Sequence, residues 1–374
     1  MAVTVGSPTA NHSAPINARP EENRCKEKVT TVDAGNDWVT LLKDNARTGG
    51  FGAPALPSPS KARWQARVAG SIRTAPVLRE QTLYVAASDR YLHAMQTDTG
   101  RERWKFEAGG QIHSTPALTG STVLFGCDDG KLYAVNGESG AKLWEAKTEG
   151  EIWVSPTVRR GVVFFGSADG HMYAVDAVSG KRRWKVEMGG RVYSTAYAGE
   201  KGVYVGSGDG HVYCLDAVNG KTLWSMQTGN GIDSSPALVG DTLIIGSQDF
   251  FVYALDANSG AVRWKFETGL GVSSSPAVSD DAAVIGSKDG QLYMLEVTTG
   301  KLRWKVRAGE ALTGPTVFGD SLIYLQAWGL VALEAATGKL AWRAGLGSGV
   351  QNAPVISGRT IYLTSNDGDV YALE

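Results

Sequence analysis

Short apolar runs of four to seven residues fill the chain from about residue 61 to the end, and polar turns break them at regular intervals. No ten-residue stretch with helical apolar spacing interrupts the runs, so the pattern predicts strands only. Tryptophan marks the period. It stands at Trp64, Trp104, Trp144, Trp184, Trp224, Trp264 and Trp304, always forty apart, and then at Trp342. A fixed period of this length is the signature of a repeat architecture, which must be recognised before any single element is interpreted.

Three phrases recur within each period. One precedes the tryptophan, as in AVDAVSGKRRW and ALDANSGAVRW, and its glycine fits a turn that needs positive φ. One follows it by about a dozen residues, as in HSTPAL and SSSPAV. The third ends in a polar turn, most often Asp-Gly, between two apolar runs, which is the strongest short hairpin signal. Each unit therefore holds four strands, here lettered A (the SSPAV phrase), B (AVIGS), C (QLYML) and D (LRWKV). Eight such units predict an all-β fold, an eight-bladed β-propeller of four-stranded antiparallel blades. The last unit ends on its strand C, while residues 61–68 form a strand D with no A, B or C before it. Pairing residues 61–68 with the C-terminal blade would close the ring and remove the open edge.

The phrases resemble the PQQ-like repeat, the tryptophan-docking propeller of quinoprotein alcohol dehydrogenases and of BamB-type outer-membrane assembly lipoproteins. The signature Ala-x-Asp-x-x-x-Gly-x-x-x-Trp is matched closely by AVDAVSGKRRW and ALDANSGAVRW, and the segment from Asp37 looks like the lead-in of such proteins. The resemblance spans about residues 37–374. It implies that the eight tryptophans pack flat against the next blade, as suits a rigid ring of large side chains. It is specific for fold and weak for function. The implied organisation is a disordered extension over residues 1–36, a lead-in packing on the propeller over 37–60, and the propeller over 61–374.

Composition narrows the function classes. The 374 residues carry a formal net charge of −1, so no field draws nucleic acid or an anionic membrane. Arg and Lys flank several of the repeated tryptophans, but strand D is the outer edge, where charge prevents edge-to-edge pairing. No apolar run is long enough to span a bilayer. The N-terminus lacks a basic start followed by an apolar run, and Cys25 has no apolar segment before it. The compartment read from this is cytoplasmic, or periplasmic if the start lies upstream. Cys25, Cys127 and Cys214 include no adjacent pair, so a disulfide framework is not expected.

Candidate chemistry lies on one face. D–A links and B–C turns open on it, and the near-identical C–D turns open on the other. One position before strand A differs in every unit: Arg73, His113, Trp153, Tyr193, Asp233, Ser273, Leu312 and Gln351. Strand A is innermost, so these residues should ring the mouth of the central channel. An ionisable, aromatic and amide mixture there is what a ligand or partner site needs, although unselected drift would also vary. The B–C turns add Phe250 and Trp328, large apolar residues that serve either as packing or plug elements or as anchors for a partner. The predicted binding set is Arg73, His113, Trp153, Tyr193, Asp233, Gln351, Phe250 and Trp328. His171 and His211 follow Asp-Gly turns at matching positions, which other units fill with Lys131, Gln291 and Asp369. They are solvated hairpin positions, and no metal site is predicted.

Two functions follow. The first is a non-catalytic binding or assembly scaffold, a monomer whose channel face takes a protein, a peptide or a small molecule. The alternative is an enzyme, with His113, Asp233, Tyr193 and Arg73 as candidate catalytic residues for a non-redox reaction. The resemblance also implies a quinone-dependent variant, in which pyrroloquinoline quinone sits beneath an adjacent-cysteine disulfide with a calcium ion. This chain has no adjacent cysteines, and no cofactor is predicted.

Overall fold

Strands B and C of each unit are apolar on both faces, and this dictates a fold in which each small sheet is sandwiched between two others. The computed structural model describes residues 56–59, 61–309, 317–318, 321–326, 329–345 and 352–374. Its 32 strands form eight four-stranded antiparallel sheets, arranged as a propeller ring. In blade 1 strand A is Val77–Arg79, B is Thr82–Ala86, C is Tyr91–Gln96 and D is Glu102–Glu107. Strand B of this blade is buried throughout, whereas D is exposed along most of its length. The A strands of neighbouring blades contact each other, so they are innermost. Blades 2 to 6 repeat this order, and blade 7 runs from Val317 to Ala344.

Blade 8 is assembled from both ends of the propeller, as the orphan strands require. Val355–Ser357, Thr360–Thr364 and Asp369–Leu373 supply A, B and C, and Ala62–Arg67 supplies D. The register pairs Trp64 with Ala372 and Arg67 with Asp369. Arg63 adds an exposed ion pair to Glu374 at 3.1 Å. The core is not one mass but a series of clusters, each shared by adjoining blades: Tyr84 and Leu92 of blade 1 pack with Phe125 and Tyr133 of blade 2.

The repeated tryptophans join these blades. Seven of the eight indole Nε1 groups donate to a backbone carbonyl of the following blade, for example Trp104 to Gly137 and Trp224 to Ala257, at 2.8–3.2 Å. The ring also lies over that blade's turn glycine. A Cβ placed on Gly180, whose φ is +68°, would stand 2.5 Å from Trp144 Cε3, so the indole occupies the space that glycine leaves. Trp342 has no C–D turn ahead of it in blade 8. It donates instead to the Leu56 carbonyl, while the Leu56 amide donates to Tyr324. Buried Leu56 thus stands in for the missing turn.

Near the channel a second set of bonds links the blades. Hydroxyls accept amide protons from residues forty earlier, in the preceding blade: Thr115 from Ala75, Thr195 from Ser155, Ser235 from Thr195 and Ser275 from Ser235. Asn352 and Thr364 close the circle by donating to the carbonyls of Ile72 and Thr74.

Candidate functional site

A hydroxyl-bearing strand A fixed to both neighbours is a stiff support for whatever precedes it. The residues just before strand A line the channel mouth, and a cavity of about 190 Å³ opens there. Arg73, His113, Trp153, Tyr193 and Asp233 all line it, together with Asn352 of blade 8. The linked hydroxyls of Thr115, Thr195, Ser235 and Ser275 lie in the same wall. Gln351 and Trp328 lie outside the described residues, as does Leu312. Phe250 is described and is absent from this cavity lining; it sits in the B–C turn of blade 5.

The aromatic members form an arc over blades 2 to 4. Trp153 stacks on Tyr193, with centroids 5.2 Å apart and planes 9° apart, and His113 meets Trp153 edge-on at 6.1 Å. The Trp153 indole Nε1 donates to Asp128 Oδ1 at 2.8 Å, and Asp128 Oδ2 lies 3.5 Å from His113 Nε2. Trp153 is thus oriented from two sides while 44% of its surface stays exposed. Arg191 donates to the Tyr193 hydroxyl at 3.2 Å. An exposed indole held rigid costs little entropy when it packs against a ligand.

Asp128 is the neighbour in this candidate site that the sequence pattern did not single out. It occupies the first position of a B–C turn, where the other blades carry Ser, Ala, Gly, Gln, Lys or Asn. Partial burial is the largest influence on its carboxyl, and Glu151 and Asp129 add to it. Together they outweigh His113 and the Trp153 indole and hold the pKa above the usual carboxylate range. The doubled Asp128-Asp129 was the available signal. His113 therefore has its carboxylate partner on its own blade rather than in Asp233, and no hydroxyl among the described residues bonds to His113. Asp233 accepts a hydrogen bond from Gln248 Nε2 at 2.7 Å, and Lys288 donates to the same amide's Oε1 at 2.9 Å.

The Asp-Gly aspartates have a structural task. Asp129, Asp169, Asp209, Asp249 and Asp289 each cap the amide two residues on and accept from a tyrosine hydroxyl at 2.5–2.7 Å. His171 and His211 lie beside these capped turns, each near its own blade's aspartate. Phe250 keeps the backbone of these turns with a residue that is not glycine, as Arg90 does in blade 1. Its φ is +79°, a value reached by glycine in the matching turns of blades 2, 3, 4, 6 and 8. A bulky side chain in this region is strained, and Phe250 is also 45% exposed.

The cysteines do not supply the adjacent pair that the resemblance implies for a quinone site. Cys127 and Cys214 are buried in separate blades, and burial pushes both thiols up to about 12. Among the described residues no group of three or more His, Cys, Asp or Glu is placed to hold a metal ion. No helix there is long and apolar enough to cross a membrane.

A family model described as outer membrane protein assembly factor BamB matches residues 55–150, 91–209, 129–267, 248–329 and 309–374. Solved structures share the fold. BamB from Moraxella catarrhalis is 19% identical, with a TM-score of 0.74 over 84% of this chain and 99% of that one. Quinohemoprotein alcohol dehydrogenase from Comamonas testosteroni is 16% identical, with a TM-score of 0.77 over 90% and 80%. The computationally designed Ika8 protein is 17% identical, with a TM-score of 0.72 over 91% and 99%. No curated protein sequence matches the chain. An assembly factor, a dehydrogenase and a designed protein on one architecture carry the fold and leave the function to the site.

Proposed function

The chain belongs to the family of the outer membrane protein assembly factor BamB, and on that premise we propose that it is a non-catalytic binding or assembly scaffold whose ligand or partner docks at the channel face. One observation carries this reading: five of the eight ring positions line a single cavity, with Trp153 half exposed and held by Asp128 and Tyr193. An exposed, pre-oriented aromatic anchor flanked by polar groups is the usual core of a binding hot spot. The scaffold works as a monomer, its rigidity supplied by the interblade indoles and hydroxyls. Phe250 widens the docking face on blade 5.

The reading is tested by replacing Trp153 and Tyr193 with Ala and measuring retention of whatever copurifies with the wild-type chain. Ligand or partner should be lost while the melting temperature falls only modestly, since neither side chain belongs to the repeated indole or hydroxyl links between blades and Trp153 is 44% exposed. Unchanged retention would put the site elsewhere. The enzyme alternative rests on His113 and Asp128, which lie 3.5 Å apart. Without an aligned nucleophile this pair is better suited to orienting Trp153 than to proton transfer.

A further inference from the structure

Beyond the channel mouth several charged groups are matched: Arg90 pairs with Glu107, Arg183 with Asp176, Arg263 with Asp256, Arg303 with Asp281 and Lys201 with Asp241. Two opposite charges that line the cavity are not matched in this way. The exposed side chain of Arg73 has no hydrogen bond or ion pair among the described residues. Among the described residues the Asp233 carboxylate has only the neutral Gln248 amide as a partner, and Lys288 is held on the far side of that amide. Both residues line the same cavity. Arg73 precedes blade 1 and Asp233 precedes blade 5, half a turn apart in a ring of eight, so a lone cation faces a lone anion across the mouth. Trp153 precedes blade 3, midway between them on one side.

Resting on the scaffold reading and deepening it, we propose that the channel mouth takes a small zwitterion of two or three amino-acid residues. Its carboxylate lies on Arg73, its ammonium on Asp233, and its apolar body on Trp153. A purely anionic ligand would meet Asp233 and Asp128, and a purely cationic one would meet Arg73. Only a molecule with both charges answers the field across the cavity. The guanidinium offers a fork that fits a carboxylate. Size agrees: a cavity of about 190 Å³ that opens to solvent is on the scale of a small molecule, not of a folded partner.

The test uses the full chain and two peptides, Phe-Ala and Ala-Phe-Ala, each free, N-acetylated or C-amidated. Binding is measured by calorimetry and ligand-observed NMR at low salt. Because a chain lengthens by about 3.5 Å per residue, the two lengths probe the gap between the charges. At least one free peptide should bind, and each cap should weaken it about fivefold, as expected for loss of a partly exposed charged contact. Arg73→Gln should abolish discrimination against the amide alone, and Asp233→Asn discrimination against the acetyl alone. Equal affinity of all three forms, or binding by none, overturns the proposal. Trp153→Ala separates this failure from that of the scaffold reading. If it removes a copurifying partner, or charge-indifferent peptide binding, the site stands and only the zwitterion falls.

Discussion

The contact that recurs most often is an indole lying on a glycine. Gly180 illustrates why the pair is inseparable: its φ is +68°, and Trp144 fills the space where a Cβ would stand. Gly180→Val should therefore destabilise the protein by about 2 kcal/mol or more, combining left-handed strain with displacement of the ring, read by chemical denaturation. Phe250 should behave in the opposite way. Its positive φ is one that glycine adopts without strain, so Phe250→Gly should raise stability by about 1 kcal/mol. If Phe250 serves the docking face, the same variant should weaken partner binding. The ring of Arg73, His113, Trp153, Tyr193 and Asp233 was legible because it varies between repeated flanks. Asp128 was not, because one carboxylate in a turn reads like its neighbour Asp129. Only the fold reveals that Asp129 caps Lys131 while Asp128 faces His113 and Trp153.

At the scale of the strand and turn, five B–C hairpins use an aspartate–tyrosine latch and blade 1 does not. His93 replaces the tyrosine, almost fully buried, with Nε2 3.0 Å from Asp89 and Nδ1 2.7 Å from Glu102. Lys105 lies opposite on strand D with its ammonium over the Tyr91 ring, and Arg90 is engaged by Glu107. Burial is the largest influence on the imidazole and would lower its pKa. The two carboxylate bonds outweigh it and raise the pKa above the ordinary value of 6.5. A raised folded pKa stabilises the protein below the unfolded value, and that contribution is lost as pH rises through the folded value. Stability should thus decline as pH rises from about 6.5 through the raised His93 pKa. Asp89 contributes at the other end. Burial would raise its pKa, but the His93 and backbone bonds outweigh burial and lower it, so its stabilisation fades only in acid. Installing the common latch with His93→Tyr should remove the decline above pH 6.5, as followed by the denaturation midpoint against pH. A wild-type slope that persists unchanged in the variant would clear His93 of any part in it.

For the molecule as a whole, the decisive question is what fastens the circle. Its repeats were legible because each copy corroborates the others, and the orphan strands at residues 61–68 and 369–374 pointed to each other. The part played by Leu56 was not, because it has no copy: it supplies once, from outside the repeat, the carbonyl that a C–D turn supplies elsewhere. Strand Asp369–Leu373 is buried along its length and paired on its outer edge by Ala62–Arg67, and Trp64 spans onward to the Thr97 carbonyl of blade 1. Deleting residues 61–68 should therefore expose an unpaired buried strand and detach two blades at once. Marked loss of thermal stability and concentration-dependent aggregation should follow, measured by calorimetry and light scattering. A circular permutant separates closure from mere chain length. Joining Glu374 to Leu56 rebuilds the missing turn, and new ends between Val218 and Asn219 fall in an exposed C–D turn of blade 4. The permutant keeps the other indole contacts and moves the break into the turn on which Trp184 rests. Its cost should be the capped Asp216 turn and a loosened Trp184 bond to Ala217, about 1 kcal/mol per hydrogen bond lost. A permutant that melts near the wild type while the deletion collapses would locate the fastening in strand pairing. Equal loss in both would instead mean that the native position of the break matters in itself.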